Sequence, residues 1–222
     1  MSALPLKVPT ARPLALLLQL SDSALPTGGF SHSFGFEQYL DRGEIHDAAT
    51  FSDWLRVYIG NQLTYTDALA MRLFYEGHDE VDLAERVVAV TMPAQLRAAD
   101  IAMAKRLRMI GSDALGMRTP EVELAHPALE FARIARQFEV SCGDAILGHL
   151  TATTHTLVQN AVRGIPIGQS DGQRVVTAAH AWIDRALEVV WTLEMADLGA
   201  VAPGLEIAQM QHEKLRARMF MS

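Results

Sequence analysis

Cysteine occurs once in the 222 residues, at Cys142, so the chain can form no internal disulfide and cannot build a cysteine-rich metal site on its own. Long apolar runs are also missing. The longest, Leu14 to Leu20, is interrupted by Gln19 and falls short of the ~18 residues that a membrane span requires. The opening stretch MSALPLKVPTARP holds two basic residues without an apolar core and small-residue cleavage site behind them, which argues against a secretory leader and makes the cytoplasm the expected location. Positive charge is scarce: 19 Lys and Arg face 26 Asp and Glu, a net of -7, with no dense basic stripe. Nucleic acid, whose phosphates need a basic surface, is therefore excluded as the main partner. Convincing runs of alternating β-branched residues are absent as well, which points away from sheet architectures.

What the chain does have is apolar residues at helical spacing. Half the residues are hydrophobic and 20% charged, enough for a sizeable core in one domain. The periodicity predicts an all-α, single-domain helical bundle of about nine or ten helices. Helices are expected over Pro13 to Ser21, Ser33 to Arg42, Phe51 to Tyr75, Asp79 to Thr91, Ala94 to Ile110, Pro127 to Gln137, Ser141 to Arg163, Ser170 to Ala196 and near Leu205 to Arg216. Residues 1–202 would form the helical domain, with a partly flexible N-terminus. Pro203-Gly204 then separates a tail, 203–222, whose Met219, Phe220 and Met221 have few sequence neighbours to bury against, so it is expected to be mobile until a partner covers it. Ile146, Leu150, Thr154, Leu157 and Ala161 share one helix side and should face the core. In the next helix Trp182, Ala186, Val189, Leu193 and Ala196 form one stripe and Leu187, Trp191 and Leu198 a second. A helix apolar on two sides is central or covered by another chain, and the central place is the expectation. The acids Glu76, Asp79, Glu80, Asp82 and Glu85 read as a solvated helix start after Gly77.

Catalytic patterns fall short. Gly29-Phe30-Ser31-His32-Ser33 approaches a nucleophile elbow but lacks its final glycine, and the preceding Leu14 to Leu20 reads as helix where the elbow needs a strand. Gly28-Gly29 is not followed by the Gly-Lys-Ser/Thr of a phosphate loop, so the chain should not bind GTP itself. Metal ligands do not converge: His149 and His155 are six residues apart, and His180 with Asp184 reads as a solvent-facing pair. Arg163 and Arg174 flank a glycine-rich linker and are available for forked hydrogen bonds, either to a partner or to nearby helix ends.

Three blocks together resemble one family. The stretch Leu20 to Gln38, LSDSALPTGGFSHSFGFEQ, the stretch Gln159 to Arg174, QNAVRGIPIGQSDGQR, and the ending His212 to Ser222, HEKLRARMFMS, are similar to the urease accessory proteins UreF. The segment His126 to Phe131 keeps the family's His-Pro-like start but lacks a glycine soon after, so no role is carried onto it. The resemblance implies a non-catalytic homodimer with no cofactor of its own, which joins UreD (UreH) and the GTPase UreG and delivers nickel into apo-urease. It places UreD contact on Ser21, Asp22, Pro26, Gly28, Gly29, Phe30, Ser31 and Glu37, together with His212, Glu213, Arg216, Arg218 and Phe220. Arg163, Pro166, Gly168, Gln169, Gln173 and Arg174 would shape the linker and the dimer and UreG surfaces. The alternative is a regulator of UreG, with an arginine such as Arg163 acting in trans on the transition state.

Overall fold

Local chemistry sets the helix starts. In the computed structural model, which describes residues 13–118, 123–199 and 202–222, Asp79 accepts from the amides of Val81 and Asp82 at the head of α5 (Glu80–Val90). Asp47 and Thr50 close a capping box on α3 (Ala48–Tyr58), and Pro127 opens α7 (Pro127–Gln137) with His126 as its cap. Ser141 accepts from the amide of Asp144 to start α8 (Cys142–Gly164). The acidic run after Gly77 is thus largely a helix start, although Glu80 also reaches Arg133 of α7 at 2.9 Å.

The remaining elements are α1 (Pro13–Leu20), α2 (Phe36–Asp41), α4 (Leu69–Tyr75), α6 (Ala94–Asp113), α9 (Gln169–Val190) and α10 (Pro203–Gln211). Residues Ile59–Ala68 form a π-helical stretch that joins α3 to α4 in one unbroken rod, and Thr64 Oγ1 donates to the Ile59 carbonyl at 2.7 Å. Among the described residues there is no strand, and no helix is long and apolar enough to cross a membrane. The chain is an all-α single domain. Phe36, Phe51, Leu55, Leu69, Phe74 and Leu129 are among its largest fully buried side chains. On α8, Ile146, Leu150, Thr154, Leu157 and Ala161 are all buried as the spacing predicts.

Two expectations do not hold. The sequence places α9 centrally, yet it lies on the outside: Val175, Val176, Ala179, Ile183, Ala186 and Val190 are buried, while Gln173, Arg174, Thr177, His180, Asp184 and Glu188 are exposed. At 100° per residue Trp182 and Leu187 sit about 140° apart, both half-buried, so they are the shoulders of one broad apolar face. The segment 203–222 also finds neighbours. Its helix α10 packs on α2 and α6, burying Leu205 and Ala208, and Phe220 is only 4% exposed. Sequence-local apolar content misses this because the neighbours come from far along the chain. The N-terminal flexibility expected of residues 1–12 lies outside the described residues.

Candidate functional site

The chain between α1 and α2 is a polar turn pinned from several sides. Ser21 Oγ donates to the Gly148 carbonyl of α8 at 3.2 Å, and Asp22 Oδ1 accepts from the Ala24 amide at 2.8 Å. Gly28, at φ 89°, lets the backbone enter the short 3-10 turn Gly29–Ser31. Asn160 Nδ2 donates to the carbonyls of Gly29 (3.2 Å) and His32 (2.8 Å), and Arg163 Nη1 to that of Phe30 (2.8 Å). Gly35 is required twice over: its φ is 97°, and a Cβ there would lie 2.7 Å from Gln209 Cγ of α10.

The tail folds back onto this turn. The Met221 amide donates to the Ser31 carbonyl at 2.8 Å, Ser33 Oγ donates to the Ser222 carbonyl at 2.7 Å, and His32 Nδ1 lies 2.8 Å from Ser222 Oγ. Glu37, from the first turn of α2, takes His212 Nε2–H at 2.8 Å and the backbone amides of Met219 (2.5 Å) and Phe220 (3.2 Å). His212 Nδ1 lies 3.0 Å from Gln95 Oε1. The Phe220 ring packs edge-on against Phe36 with centroids 5.2 Å apart, and the Arg163 guanidinium carbon sits 5.5 Å from its centroid. The first and last of the three family-like blocks, separated by some 175 residues at Glu37 and His212, are therefore one junction, and Arg163 of the middle block is attached to both.

Burial sorts the expected contact residues into two kinds. Gly29, Glu37, His212 and Phe220 are buried within the junction, so in this arrangement they support a surface rather than offer one. Phe30 (59%), Met219 (54%) and Met221 (67%) are exposed, with Asp22, Pro26, Arg163, Glu213, Arg216 and Arg218 also open to solvent. Ser21, Gly28 and Ser31 are half-buried. Pro166, Gly168, Gln169, Gln173 and Arg174 are exposed around the start of α9, where Arg174 pairs with Asp171 of its own helix. Ser31 follows a helix, not a strand, and its neighbour His32 hydrogen-bonds Ser222.

A second polar assembly escapes sequence reasoning. Asp67, from the π-helical stretch, meets His149 of α8 at 2.7 Å, and His126 Nε2 stands 3.9 Å from Asp67 and 3.8 Å from Asp100 of α6. All four side chains are buried at the inner end of a cavity of about 100 Å³ that reaches out to Phe30 and Met92. Burial pushes Asp67 up, but His126 and His149 outweigh it and hold the carboxyl below its ordinary range. Asp100 is raised well above that range, by burial and then by the charge of Asp67. Burial lowers His126, against the pull of Asp67. Because His126 Nδ1 accepts from the Ala128 amide at 3.3 Å, its proton sits on Nε2, facing both carboxyls. The available signal was a polar residue on an apolar stripe, as with Asp100 between Leu96 and Met103. Among the described residues no group of three or more His, Cys, Asp or Glu side chains is arranged to hold a metal ion.

Comparison with known proteins gives a consistent result. A family model described as UreF matches residues 45–180. The urease accessory protein UreF of Arthrobacter sp. (strain FB24) is 45% identical over 219 residues, covering 93% of this chain and 96% of that protein. The corresponding protein of Paenarthrobacter aurescens (strain TC1) is 46% identical over 220 residues, with 93% and 96% covered. That of Geobacillus kaustophilus (strain HTA426) is 43% identical over 224 residues, with 96% and 100% covered.

Proposed function

Since the chain belongs to the UreF family of urease accessory proteins, we propose that it is a non-catalytic scaffold of urease maturation, which docks a UreD (UreH) protein and brings the GTPase UreG to apo-urease. GTP hydrolysis and nickel transfer belong to those partners, and the scaffold works as a cytoplasmic homodimer. The observation that carries the UreD assignment is the junction. Exposed Phe30, Met219 and Met221 stand around the Ser31–Met221 hydrogen bond, with Arg163 beside them and the exposed cations Arg216 and Arg218 earlier in the same tail. Apolar side chains held exposed on a fixed backbone favour covering by a partner, and the cations favour one with acidic residues at its rim. Arg163 is engaged with Phe30 and Phe220, which supports an internal role for it over action in trans on UreG.

The test is capture of the cognate UreD protein by a chain carrying Phe30→Ala, Met219→Ala and Met221→Ala. These side chains are exposed, so the helical spectrum should be unchanged while the captured amount falls at least about tenfold. Undiminished capture by a folded variant would place the UreD surface elsewhere.

A further inference from the structure

Glu37 makes more hydrogen bonds to the tail than any contact role requires. The residue is 8% exposed, and its carboxylate receives three donors from 212–222: the His212 ring and the consecutive amides of Met219 and Phe220. Charge-assisted bonds of this kind are about twice as strong as neutral ones, and a buried donor left without its acceptor bears the full cost of desolvation.

The consecutive amides also fix register. With Met219 and Phe220 N–H both directed to one carboxylate, Phe220 turns inward against Phe36, while Met219 and Met221 point out. The chain bends at Met219 and Phe220, which lets the two consecutive N–H groups converge on one carboxylate, and a slip of one residue would bring a different pair of amides to Glu37 and a different side chain to Phe36. Apart from His212 with Gln95, the other tail bonds, at Ser31, His32 and Ser33, engage only the last two residues.

We infer that Glu37 is a positioning residue which latches 212–222 in a single register, so that the Phe30–Met219–Met221 surface exists only while the latch is closed. The dependence on that surface rests on the UreD reading given above; the latch itself does not. His212 sits between the latch and α6: its Nε2–H is held by Glu37 and its Nδ1 by Gln95. Displacing the tail therefore unseats His212 from α6 as well as Phe220 from α2.

The test uses the full chain with Glu37→Gln, which keeps the shape and removes the charge, and Glu37→Asp, which keeps the charge on a shorter arm. Hydrogen exchange of 212–222 should rise roughly tenfold or more in Glu37→Gln, with α8 and α9 unchanged, and return part of the way in Glu37→Asp. In nitrogen-15 spectra of labelled histidine, the protected ring proton of His212 should be present in the parent and in Glu37→Asp but lost in Glu37→Gln. Capture of the UreD protein should follow the same order. Unchanged tail exchange and a persisting ring signal would overturn the latch. A freed tail with undiminished capture would overturn the coupling of latch to surface, and a loss in Glu37→Gln spread evenly over all helices would reduce Glu37 to a general structural role. The Phe30/Met219/Met221 variant, which leaves the latch intact, separates failure of the UreD reading from failure of this one.

Discussion

Two buried histidine–carboxylate pairs in this molecule share nearly the same geometry and do different work. His149 meets Asp67 at 2.7 Å between a central rod and α8; His212 meets Glu37 at 2.8 Å between a chain end and α2. The first lies within the main helices, where Asp67 and Asp100 are both faced by His126. The second has its remaining capacity filled by tail amides. Distance and burial do not distinguish them. What differs is what comes loose when each is broken: the first has no free segment to release, whereas the second holds a stretch that can leave without the rest unfolding. A buried pair is thus a core constraint or a clasp according to the connectivity behind it.

The sharpest way to break this comparison is Asp67→Ala. It strands two histidines and Asp100 in the interior and should cost about 3–5 kcal/mol of global stability, read as a lower midpoint in urea unfolding. A loss under about 1 kcal/mol would mean that the cluster is not a core constraint. Phe220→Ala should follow, at up to about 3 kcal/mol, expressed as faster hydrogen exchange of 212–222 with the global transition little moved. A fall in global stability as large as that of Asp67→Ala would erase the distinction between core and clasp.

The proton inventory sharpens the core side. Burial and then Asp67 raise Asp100 in the folded chain above the ordinary 3.8, so its contribution weakens folding as pH climbs from there toward the raised folded value. Asp100→Asn cannot ionise and should gain on the parent as pH rises above 3.8, by about 1.4 kcal/mol for each unit by which the carboxyl is raised. His126 works oppositely: burial lowers it in the fold, so its contribution makes stability fall as pH drops below 6.5. Parallel pH–stability curves for parent and Asp100→Asn would show Asp100 ionised in the fold. The smallest effect is expected on the clasp side, where Arg163→Ala removes an exposed cation from the Phe220 face and should loosen the tail by about 0.5–1 kcal/mol in hydrogen exchange. No change would leave Arg163 outside the clasp's energetics.

Sequence and structure agree where the signal is local. Pro127–Gln137 was legible to the residue because His126-Pro127 marks its start, and the buried stripe of α8 follows from its spacing alone. The junction was legible only in part: resemblance named Glu37, His212 and Phe220, but no periodic pattern tells that they face each other across the chain. The same limit hid the Asp67 cluster, whose members come from the rod, α6, α7's cap and α8. For α9, the reading of two stripes treated the shoulders of a wide face as separate faces, which a helical wheel resolves once Ile183 and Val190 are placed between them.

The π-helical stretch Ile59–Ala68 carries a consequence for how this chain can change length. Its wider turns hold extra residues within the rod, and Asp67 lies in the last turn. Deleting one residue there while the remaining turns keep their width would turn everything from Leu69 onward relative to α3. Phe74, which packs beneath Arg136, and Arg72, which donates to the Leu193 carbonyl, would then face the wrong neighbours. Insertions and deletions should therefore be absent from this decade of positions in a relative that keeps the fold, while substitutions that spare the wide turns pass freely.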